Sequence, residues 1–91
     1  MTAVIGQHFI ISGRVQGVYF RAFTKQQATN LGLTGWVRNL PEGQVEAKAF
    51  GTANQLTAFA EKLRTGPPMA QVATLTIVDI PLELHTSFSV K

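Results

Sequence analysis

Apolar positions along this chain switch between two spacings, and the switches outline its elements. Phe9 and Ile11 stand between His8, Ile10 and Ser12, a period of two that predicts a strand over roughly Gln7 to Ser12. From about Phe20 to Leu31 the pattern is helical, and Gly32 is placed to stop that helix. Leu33 to Asn39 and Gln44 to Phe50 read as two further strands, joined by the turn chemistry of Leu40-Pro41-Glu42-Gly43. Leu56, Phe59, Ala60 and Leu63 then recur at i, i+3, i+4 and i+7, behind a candidate capping box of Thr52 and Gln55. Gly66-Pro67-Pro68 closes that second helix. Gln71 to Ile80, rich in Val, Thr and Ile, is a fourth strand, and Thr86 to Val90 a short edge strand.

This order contains two strand-helix-strand halves. Right-handed crossovers put both helices on one side of the sheet. The expected fold is therefore α+β: a ferredoxin-like βαββαβ sandwich, two helices on one face of an antiparallel sheet, plus a short C-terminal strand. At 91 residues, a single domain over 1–91 with one core is expected.

Composition narrows the chemistry. With 45% hydrophobic and 14% charged residues, the chain can bury a core rather than remain disordered. It has no cysteine, which removes disulfides, thiol nucleophiles and Cys-ligated metals. No apolar run approaches the ~18 residues of a membrane span, and the first residues lack a basic leader region. No membrane partner and a cytoplasmic location are expected. The net charge of +3 suits small anions. Lys and Arg are dispersed, and the Gln44–Phe50 strand lacks the aromatic-rich pattern of RNA-binding sheets, so no nucleic-acid partner is expected. His8 and His85 stand at no motif spacing from a carboxylate, and the acids are scattered, so no metal site and no cofactor are expected.

The segment Gly13-Arg14-Val15-Gln16-Gly17-Val18-Tyr19-Phe20-Arg21 carries the candidate chemistry. It joins a strand to a helix start through two glycines, which permit positive φ and close ligand approach. Unpaired amides and the helix dipole then favour an anion. The same glycines also fit an ordinary turn that binds nothing. They match neither the P-loop nor the dinucleotide fingerprint. Arg21 in the first helical turn is opposed by the dipole; it is either a solvated residue or the fork that holds the anion. Asn39 is either a plain turn residue or a polar group brought to Arg21 by the fold.

That segment closely resembles the signature of the acylphosphatases. Gly35-Trp36-Val37-Arg38-Asn39, with Gly43 soon after, resembles the family's second signature, and Phe88-Ser89-Val90 its last strand. The resemblance spans essentially the whole chain. It implies a ferredoxin-like enzyme that hydrolyses the carboxyl-phosphate anhydride of small acyl phosphates to carboxylate and inorganic phosphate. By motif position, Arg21 matches the phosphate-binding arginine and Asn39 the asparagine that holds the attacking water. Gln16, Gly17, Val18, Tyr19 and Phe20 match the loop whose amides cradle the phosphate. Tyr19 occupies a position that varies in the family, and is expected to act only through its backbone. A metal-independent hydrolase is implied, since an anhydride is already labile. A monomer is expected. The alternatives are a module that binds a small anion without turnover, or a ferredoxin-like RNA binder.

Overall fold

The computed structural model describes residues 3–91. Its elements run β1 (Ile5–Arg14), α1 (Phe20–Asn30), β2 (Thr34–Asn39), β3 (Val45–Gly51), α2 (Ala53–Thr65), β4 (Gln71–Ile80) and β5 (Phe88–Val90). The sheet order is β4-β1-β3-β2-β5. The first four strands pair antiparallel, and β5 pairs parallel to β2. The sheet is thus mixed, an antiparallel ferredoxin-like core with one parallel strand on its edge. β1 is longer at both ends than its alternating stretch implies, because β3 and β4 flank it and satisfy its backbone.

The alternation resolves into two faces. Phe9, Ile11, Val37, Val45, Ala47 and Ala49 are buried and meet Leu56, Phe59 and Leu63 of α2 and Ala28 of α1 in one core. Phe9 packs edge-on against Phe59 with ring centroids 5.2 Å apart, and Phe59 in turn meets Phe88 at 6.0 Å. That aromatic chain ties the C-terminal strand into the core. The capping box at Thr52 is formed: Gln55 N–H donates to Thr52 Oγ1 at 3.2 Å, and Thr52 N–H donates to Gln55 Oε1 at 2.8 Å. Gly32 follows the last residue of α1's cap with φ 75°, the left-handed stop that glycine permits.

Two features of β1 aim the chain at the site. Its register with β4 shifts between Ser12 and Gly13, a bulge that bends the strand end. Gly13 has φ 121°, and a Cβ there would run into the Gln71 carbonyl oxygen. Val15 and Val18 then bury their side chains on either side of Gln16 and Gly17, pinning the loop that leads into α1.

Candidate active site

The β1–α1 loop wraps the start of α1 and faces the ends of β2 and β5. Between them lies a cleft of about 480 Å³, lined by Val15, Gln16, Gly17, Tyr19, Phe20, Arg21, Ala22, Asn39 and Val90. Arg21 and Asn39, 18 positions apart in the sequence, share it. Strand parity explains Asn39's place: it lies two residues beyond buried Val37, so it projects to the helix-covered face. Val18 does not line the cleft. Its side chain belongs to the core, which leaves only its backbone for a ligand.

The loop is shaped for backbone donation. Gly17 has φ 73° and Tyr19 φ 64°, ψ 24°. Tyr19 caps α1 without a side-chain hydrogen bond, and no acid stands in the first turn. The first-turn amides of α1 therefore keep their donors free of a side-chain cap. Among the described residues, no backbone or side-chain acceptor takes the N–H of Gly17, Val18 or Tyr19. Unpartnered amides of this kind, at the positive end of a helix dipole, suit an anion.

Arg21 is exposed at the mouth. Its Nη1 donates to the Lys91 main-chain oxygen at 3.4 Å, and Lys91 N–H donates to Val37 O at 2.8 Å. The end of β5 thus lies between Arg21 and β2. Arg21 pairs with no Asp or Glu side chain among the described residues, and the cleft lining holds no acid. Asn39 Oδ1 is buried and accepts no hydrogen bond. A buried acceptor without a donor is costly, and here it borders a cleft whose lining includes a single cation, Arg21.

Sequence reasoning missed three participants. Val90 and the Lys91 main-chain oxygen reach the site only because β5 joins β2 in parallel, a pairing that no local pattern encodes. The Gln16 side chain also escaped notice: its Nε2 donates to Leu40 O and to Gln44 O, both at 2.8 Å, across a span of more than twenty residues. No three His, Asp or Glu side chains gather into a metal-ligating group among the described residues. The acids lie elsewhere. Glu46 binds His8 at 2.7 Å and Arg38 at 2.6 Å on the open face of the sheet.

Comparison with known proteins adds a consistent picture. The family model described as Acylphosphatase matches residues 7–90. The acylphosphatase of Marinobacter nauticus is 51% identical over 74 residues, covering 81% of this chain and 80% of that protein. The acylphosphatase of Acaryochloris marina is 41% identical over 90 residues, covering 99% and 97%. The structure of an acylphosphatase from Coxiella burnetii superposes with a TM-score of 0.94 at 39% identity, covering 97% of this chain and 93% of that one.

Proposed function

The chain belongs to the acylphosphatase family, and from that premise we propose that it hydrolyses small acyl phosphates, with Arg21 and the loop amides of Gln16 to Phe20 holding the phosphoryl group and Asn39 orienting the attacking water. The observation that carries this assignment of roles is the unpartnered Asn39 Oδ1, buried at the edge of the cleft that Arg21 lines. An amide oxygen accepts a water O–H but does not ionise usefully as a base. A water donating to Asn39 Oδ1 turns a lone pair toward phosphorus.

The reaction balances without a protein base. The water oxygen bonds to phosphorus as the bridging P–O bond breaks. The carboxylate leaves with that bond's electron pair, and a phosphate oxygen takes the water's proton. Arg21 and the amides neutralise the phosphoryl charge and fix it in line. The leaving carboxylate is a good one, so the reading asks neither a metal nor a nucleophilic side chain of the site. The substrate is a small acyl phosphate in the cytoplasm, and inorganic phosphate is the product that competes for the cradle.

Benzoyl phosphate hydrolysis by the purified protein in excess EDTA tests the proposal. Turnover is expected for the wild type. Arg21→Ala should lose about 2–4 kcal/mol of transition-state stabilisation, by analogy with oxyanion donors, together with inhibition by phosphate. Full activity in Arg21→Ala would end the assignment of Arg21. Phosphate binding with no turnover in the wild type would leave an anion-binding module instead.

A further inference from the structure

The cradle and the water site sit on separate pieces of chain, and one side chain joins them. Gln16 Nε2 donates its two N–H groups to Leu40 O and Gln44 O at 2.8 Å each. Those carbonyls close the β2–β3 turn: Leu40 N–H donates to Gln44 O at 2.8 Å, and Gly43 N–H donates to Leu40 O at 3.2 Å. Gln16 therefore takes the second lone pair of each oxygen. Leu40 directly follows Asn39, and Asn39 is the last β2 residue in register, opposite Val45.

Beyond Asn39 the turn has little else to hold it. Pro41 and Glu42 are exposed, and Gly43 has φ 97° with no atom within 4 Å of where a Cβ would lie. On the other side, Gln16 follows core residue Val15, so its base does not drift. We propose that the Gln16 side chain is a positioning residue, which sets the distance between the phosphate cradle and Asn39 by clamping the β2–β3 turn to the β1–α1 loop. The proposal rests on the roles given to Arg21 and Asn39 above, and it gives Gln16 a task separate from its backbone's place in the cradle.

The chemistry selects glutamine. Two N–H groups on one neutral nitrogen match two carbonyl oxygens. Glutamate presents acceptors to acceptors, and methionine keeps the length and loses both donors. A clamp on water geometry acts on turnover rather than on phosphate affinity, because a small misplacement of reacting atoms is costly to rate.

The test is a double-mutant cycle with Gln16→Met and Asn39→Ala, reading benzoyl phosphate kcat and the inhibition constant of inorganic phosphate. Gln16→Met should lower kcat about ten-fold and change the phosphate constant less than about two-fold. In the Asn39→Ala background the same change should cost less than about two-fold in kcat, since the group it positions is gone. Equal losses in both backgrounds, or a phosphate constant that rises in step with the loss of kcat, would overturn the proposal. Should Gln16→Met fail to fold, Gln16→Glu serves: protonation restores one donor, so its kcat relative to wild type should climb as pH falls. A ratio that stays flat would overturn the clamp. Wild-type protein without turnover would instead defeat the functional reading itself.

Discussion

Tyr19 is the residue whose conformation asks most of the chain. It is the one non-glycine among the described residues with positive φ, at 64°, and the residue is 79% exposed. A left-handed L-residue costs about 1–2 kcal/mol, and the exposed ring recovers little of that through burial. Tyr19→Gly removes the strain and adds about 0.5–1 kcal/mol of unfolded-state entropy. The variant should therefore be more stable by about 0.5–1 kcal/mol, read from urea unfolding midpoints. A less stable variant would mean that the ring makes contacts worth more than the strain. Single residues also show where sequence reading stops. Motif resemblance singled out Arg21 and Asn39, the fold brings both to one cleft, and the parity of Asn39 with Val37 puts it on the helix face. The backbone strain at Tyr19 and the clamp at Gln16 were not legible, because each depends on a chain path that only the folded loop defines.

At the scale of elements, the helices were legible because their signals are local: Gly32 stopping α1, and the Thr52–Gln55 box starting α2. Strand partners were not, because pairing is a contact between distant segments. The β1–β3 register brings His8 to Glu46, 38 positions away, although no motif spacing links them. β2 adds Arg38 opposite Glu46. Burial pushes the Glu46 carboxyl up, but the hydrogen bonds and positive charge of His8 and Arg38 outweigh it and hold the pKa below its ordinary 4.5. A depressed carboxylate contributes stability that is complete above its unfolded value and is lost as pH falls through its folded one. The stability difference between wild type and Glu46→Gln should thus shrink as pH falls below 4.5. Urea unfolding at a series of pH values measures it. A difference that persists undiminished to pH 3 would show that this carboxylate is not stabilised by its two partners.

Over the whole molecule, the site is a product of topology. The β1–α1 loop, the end of β2 and the end of β5 meet only once the order β4-β1-β3-β2-β5 is complete. Strand-helix alternation was enough to anticipate the antiparallel core, and the parallel docking of β5 became visible only in the fold. An unfolded chain holds none of these pieces together, so a ligand of the assembled cleft binds the native state alone and stabilises it by mass action. Phosphate at a hundred times its dissociation constant should add about 2.7 kcal/mol. For a domain near this size that is a rise in Tm of roughly 10–20 °C. Thermal unfolding in phosphate, against chloride at equal ionic strength, reads this directly and needs no turnover. Arg21→Ala should lose most of the shift because it removes the charged fork. Gln16→Met should keep most of it, because the clamp holds the water side of the cleft and leaves the cradle amides in place. A wild-type Tm that does not respond to phosphate would mean that the loop amides and Arg21 do not bind the anion.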